Sequence, residues 1–97
     1  MMISAAKLTF RIQQSHSLKD KRMIVRSVKD KTRKRYNVSL VEVDSLDDYQ
    51  RITLGISIVA QDYFHATQSR DRIVRFIENQ VDGNLVSILV NDFDIND

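Results

Sequence analysis

The spacing of apolar residues changes period four times along this chain, and that succession constrains the fold more than any single residue does. From Met2 to Ile12, Ala6, Leu8, Phe10 and Ile12 alternate with Lys7, Thr9 and Arg11, the period of a strand with one face buried. From Leu18 the repeat lengthens. Leu18, Val25, Val28, Thr32 and Tyr36, widened by Ile24, line one side of a helix, and Ser17 with Asp20 forms a short-armed capping box at its start. Val38 to Asp44 is β-branched and aliphatic, a second strand, and Asp44 to Gln50 is a polar hairpin connection. Arg51 to Gln61 alternates again, with Ile52, Leu54, Ile56, Ile58 and Ala60 on one side. Asp62 is placed to cap a second helix, Tyr63 to Gln80, whose inward residues are Ala66, Ile73, Phe76 and Ile77. Asp82-Gly83 is expected to stop it, with Gly83 at positive φ, and Leu85 to Ile95 is a last strand that alternates less cleanly at its acidic end.

The order is βαββαβ. Two split βαβ units with right-handed crossovers predict an α+β fold, the ferredoxin-like plait: a four-stranded antiparallel sheet with two helices on one face. The core is expected to hold Leu8, Phe10, Val25, Val28, Leu54, Ile56, Ile73 and Ile77. The other sheet face should be open and show Lys7, Thr9, Arg11, Thr53, Gly55 and Ser57. With 97 residues, two glycines and no proline, nothing reads as a linker, so residues 1–97 are expected to form one domain. The absence of cysteine excludes disulfides, thiolate catalysis and cysteine-based zinc sites. No apolar run approaches bilayer length and no signal peptide pattern opens the chain, so a cytoplasmic protein without membrane association is expected.

Charge is distributed very unevenly. Nine of the fifteen Lys and Arg residues fall between Leu18 and Tyr36, against only two acids, Asp20 and Asp30, whereas the rest of the chain is net acidic. On a helix, Lys19, Arg22, Arg26, Lys29 and Arg33 fall into a single stripe roughly 21 Å long. A focused positive ridge suits a polyanion; the plain alternative is a lysine-rich solvated face. Lys19, Lys21 and Arg22 also stand in the first helical turn, where the helix dipole disfavours cations by up to about 1 kcal/mol each. A local rule broken without structural gain points to a site.

Ser15-His16-Ser17-Leu18-Lys19-Asp20-Lys21-Arg22 resembles the Ser-x-Ser-Leu-Lys-[Asp/Glu]-Lys-Arg opening of the YlxP-like family of small bacterial proteins. Tyr36-Asn37-Val38-Ser39, Glu42-Val43-Asp44, Gln50-Arg51, Leu54-Gly55 and Val59 continue the resemblance in order over nearly the whole chain. Tyr49 stands where the family often has tryptophan before the Gln-Arg pair. The resemblance implies a ferredoxin-like fold and no particular activity. It also implies an RNA or ribosome context by association, because the family's genes often neighbour those of translation initiation and ribosome maturation factors.

Other constellations are thinner. Ser15, His16 and Ser17, with the free N–H groups of the helix start, Lys19 and Arg22, form a candidate phosphate cradle; the alternative is that Ser17 only caps and His16 is an exposed loop residue. Glu42, Asp44, Asp47 and Asp48 offer hard oxygen ligands but lack the EF-hand pattern, and a hydrated hairpin fits them better. The open sheet face lacks the stacking aromatics of an RRM. His16 and His65 stand far apart with no nucleophile motif.

The leading expectation is a non-enzymatic protein that binds structured RNA or the ribosome, with Lys19, Arg22, Arg26, Lys29 and Arg33 on phosphates and Ser15, His16 and Ser17 as an anion site. The alternative is a module forming a homodimer or docking a protein partner through the open sheet or an edge strand. A third reading is a small enzyme at the Ser15–Arg22 loop. No cofactor, metal or catalytic residue is expected.

Overall fold

The computed structural model describes residues 1–96. Its elements run β1 (Met2–Ile12), α1 (Leu18–Arg35), β2 (Ser39–Asp44), β3 (Arg51–Ala60), α2 (Tyr63–Gln80) and β4 (Gly83–Asp94). The strands form one sheet in the order β2-β3-β1-β4, every neighbouring pair antiparallel, so each helix connects strands separated by one other. This is the expected βαββαβ plait.

Register explains which side chains enter the core. Leu8 stands opposite Leu54 on one side and Ile88 on the other, and Phe10 opposite Ile52. Leu8, Phe10, Leu54 and Ile56 point toward the helices and join Val25, Val28, Ile73 and Ile77 in one buried cluster. All eight expected core residues belong to it. α1 packs on β2 and α2, while α2 lies over β1 and β3. Tyr36 meets Phe76 edge-on at 5.4 Å where the two helices approach, and Arg35 lies 5.1 Å from the Phe76 ring centroid.

Two local expectations are corrected. Gly83 does not take positive φ; it is the first residue of β4 and pairs with Ile12. A Cβ there would sit 2.3 Å from the Arg11 carbonyl oxygen, so close backbone approach, not a left-handed turn, requires glycine. α2 instead ends with the Val81 N–H donating to the Ile77 carbonyl at 3.2 Å. Thr53, expected on the open face, is 2% exposed. Its hydroxyl lies 3.1 Å from Ser45 Oγ and 3.3 Å from Thr9 Oγ1. The hairpin between β2 and β3 folds over that end of the sheet, and Ser45 takes φ 61° to let it do so.

Candidate nucleic-acid interface

α1 begins with a closed cap. Ser17 Oγ accepts from the Asp20 N–H at 3.1 Å, and the Asp20 carboxylate reaches back to accept from the His16 N–H at 3.0 Å. Ser15 is buried, its hydroxyl donating to the Ser17 carbonyl at 3.0 Å, while the His16 side chain is exposed. An incoming phosphate at Ser15, His16 and Ser17 would have to displace Asp20, which already supplies the negative charge that a helix N-terminus favours.

Lys21 is the residue sequence reasoning misplaced. It is 1% exposed, and its ammonium donates to the carbonyls of Ser45 at 2.5 Å and Asp48 at 2.8 Å. Glu42 Oε2 lies 2.9 Å away as counter-charge, outside hydrogen-bonding angle. A cation in the first turn therefore has a structural reason here: it ties α1 to the β2–β3 hairpin and holds Ser45 in its left-handed conformation. The signal was present in the sequence, since Lys21, Val25, Val28 and Thr32 keep the helical spacing and are the buried residues of α1.

Lys21 lies outside the stripe, whose members stay at the surface of α1. Arg22, Arg26, Lys29 and Arg33 line one groove of about 230 Å³ together with Val25, Asp30 and Glu42, between α1 and the outer edge of β2. Lys19 is exposed but lies off this groove. Among the described residues, Lys19, Arg22, Arg26 and Lys29 have no carboxylate within 4.0 Å. Outside α1, Lys7 pairs with Asp44 at 3.0 Å, Arg51 with Asp48 at 3.9 Å and Arg70 with Asp92 at 2.7 Å, while Arg11, Arg72 and Arg75 likewise have no carboxylate within 4.0 Å among the described residues. Arg33 alone in the stripe has an internal partner, donating from Nη2 to the Leu40 carbonyl at 2.6 Å. Lys31 and Lys34, which the stripe omitted, line an adjoining groove with Met23, Arg26, Ser27 and Asp30, so the positive surface wraps further round α1.

The acidic hairpin is divided among partners. Glu42 faces Lys21, Asp44 faces Lys7, and Asp48 accepts from the Gln50 N–H at 2.9 Å and faces Arg51. Asp47 is exposed. His65 stays at the α2 cap, where Asp62 Oδ1 accepts its N–H at 2.8 Å. That hydrogen bond, with one from the His65 ring, holds the Asp62 carboxyl below the usual carboxylate range. No described helix is long and apolar enough to cross a membrane.

A four-stranded antiparallel sheet backed by two helices, one carrying a groove of unpaired cations, defines a ferredoxin-like α+β protein with a basic helix. The chain belongs to the family described as "Protein of unknown function (DUF503)", whose model matches residues 3–90. It is 28% identical over 78 residues to "Uncharacterized protein YlxP" of Bacillus subtilis (strain 168), covering 80% of this chain and 85% of that protein. The expected YlxP-like membership is thereby shown. Among solved structures it is similar to the solution NMR structure of a de novo designed protein with ferredoxin fold, at 18% identity and a TM-score of 0.54, covering 95% of this chain and 84% of the designed one. That likeness concerns the fold alone.

Proposed function

We propose that the chain binds structured RNA of the ribosome through the outward face of α1, without catalysis and without a cofactor. One observation carries this reading: Arg22, Arg26 and Lys29 share a groove, with no carboxylate within 4.0 Å among the described residues, on the helix that holds nine of the fifteen Lys and Arg residues of the chain. Leaving cations grouped and unpaired costs mutual repulsion, and a polyanion relieves it. Guanidinium groups favour phosphate because their planar donors engage two oxygens at once. Such contacts set position on the nucleic acid without reading sequence, since the groove offers no aromatic for base stacking. The ribosomal context rests on the family resemblance. The test is co-sedimentation of the chain with ribosomal subunits and with folded ribosomal RNA over a range of salt. Binding that falls steeply with salt supports the reading; association with neither, at low salt, removes it.

A further inference from the structure

We propose that β4 is the interface of a two-fold symmetric dimer, in which the β4 strands of two copies pair antiparallel and extend the sheet to eight strands.

The two edges of the sheet are built differently. β2 has six residues, a register shift between Glu42 and Asp44, and the Arg33 guanidinium on the Leu40 carbonyl. Its short length and the Arg33 contact, rather than the register shift, which β4 shares, keep another strand away. β4 has twelve residues, a register shift of its own at Val86 opposite Thr9 and Phe10, and among the described residues pairs only with β1. From Asn84 to Asn91 it contains neither charge nor proline. Val86, Ile88, Leu89 and Val90 are 53%, 44%, 59% and 45% exposed. Ile88 and Val90 stand opposite Leu8 and Ala6, on the helix side of the sheet, where α2 covers β1 and β3 and leaves them bare. A long uncharged strand edge with apolar groups on both faces is a pairing template.

Three features select a second copy as the occupant. The uncharged stretch gives a charged partner nothing to recognise, while antiparallel self-pairing sets apolar residues against apolar ones. The acids that follow are already neutralised within the chain: Asp92 by Arg70 at 2.7 Å, and Asp94 by the N-terminal ammonium at 3.4 Å. Like-charge repulsion between copies is therefore small. Burying the exposed parts of these four side chains with Phe93 and Ile95 removes on the order of 300 Å² of apolar surface per copy. With the strand backbones added, this approaches the smaller stable interfaces. Stacking through the open sheet face is disfavoured, because Lys7 sits at its middle and would have to be desolvated with Asp44. The two-fold axis stands perpendicular to the sheet, so both helical layers lie on one side, with the two β2 edges roughly 34 Å apart across seven strand spacings. The dimer is independent of the RNA reading and stands or falls without it.

Sedimentation velocity of the full chain from about 1 to about 100 μM is the test. The mass should rise from 11.3 kDa toward twice that value and stop there. Val86→Lys and Ile88→Lys should each hold the protein at the monomer mass, and Val59→Lys on the open face should leave dimerisation intact. Amide hydrogen exchange of the unmodified chain should slow with concentration at β4 and not at β2, a readout that survives any folding defect in the variants. A chain that stays monomeric throughout overturns the proposal. So do growth beyond the dimer, concentration-dependent protection at β2 instead of β4, and loss of the dimer in Val59→Lys alone.

Discussion

Arg33 Nη2 lies 2.6 Å from the Leu40 carbonyl oxygen, so one member of the basic stripe also closes the neighbouring edge of the sheet. The stripe and the strand edge are thus coupled. Replacing Arg33 with alanine should lower stability by about 0.5–1.5 kcal/mol through the lost hydrogen bond. It should also speed amide exchange in β2 and weaken RNA binding. Arg26→Ala, with no such partner, should weaken RNA binding and leave denaturation midpoints unchanged.

Lys21 separates structural from functional charge in the same helix. Lys21→Met removes the donor to Ser45 and Asp48 and leaves Glu42, 17% exposed, without its ion-pair partner at 2.9 Å. A loss of about 3 kcal/mol is expected in urea denaturation, because breaking a buried pair strands its partner. Adding Glu42→Gln should recover part of that loss. RNA affinity of the folded variant should match the unmodified chain, since Lys21 is not at the surface.

Much of the fold was legible because the two hydrophobic periods are clean where one face meets the core. β1 and α2 fall on their expected ranges to the residue. β4 does not: it starts at Gly83 instead of Leu85, because Gly83 is held by pairing to Ile12, a tertiary contact that local pattern does not carry. Its alternation was also weak, and the exposure of Ile88 and Val90 on the helix side shows why: α2 leaves that face uncovered, so no solvent contrast is imposed. In the candidate site, Arg22, Arg26, Lys29 and Arg33 were legible from spacing, since surface stripes follow helix geometry alone. The burial of Lys21 depends on carbonyls more than twenty residues away in the hairpin, and residue type argued against it.

Gly83 and Gly55 give a paired test of close approach. Alanine at Gly83 would put its Cβ 2.3 Å from the Arg11 carbonyl oxygen, backbone that cannot rotate aside. A destabilisation of about 1–3 kcal/mol is expected. At Gly55 the nearest neighbour is Val43 Cγ1 at 3.0 Å, the side chain of an exposed edge residue. Gly55→Ala should be the milder change in denaturation midpoint; the reverse order would contradict the β1–β4 register.

Asp92 supplies a pH-dependent part of the stability. The Arg70 guanidinium first, and then the Ser4 hydroxyl, hold its carboxyl below the usual carboxylate range. A carboxyl depressed in the folded state contributes stability that is present above its unfolded value, near 3.9, and is lost as pH falls through the folded value. Asp92→Asn should therefore lower the urea midpoint at neutral pH and flatten its decline below about pH 4. At the acid end of the titration the two proteins should converge. A constant gap at all pH values would show that the Asp92 charge is not the source.

The stripe itself is tested by moving charge without moving the core. Counterion release gives binding a salt slope of about −0.9 per phosphate contacted on B-form DNA and about −0.7 on single strands. Arg22, Arg26 and Lys29, which share the groove without internal partners, should set most of the slope on folded RNA. Arg33, bound to Leu40, should add less. The double variant Arg22→Glu with Arg26→Glu leaves Val25, Val28 and Lys21 in place, so its circular dichroism and melting should match the unmodified chain while RNA binding collapses. Arg72→Glu with Arg75→Glu makes the same charge change on α2, where both residues are exposed, and should weaken binding far less. Equal losses in the two double variants would assign the effect to net charge and not to the groove. A preserved slope in the α1 variant would remove α1 as the contact surface, whatever the RNA.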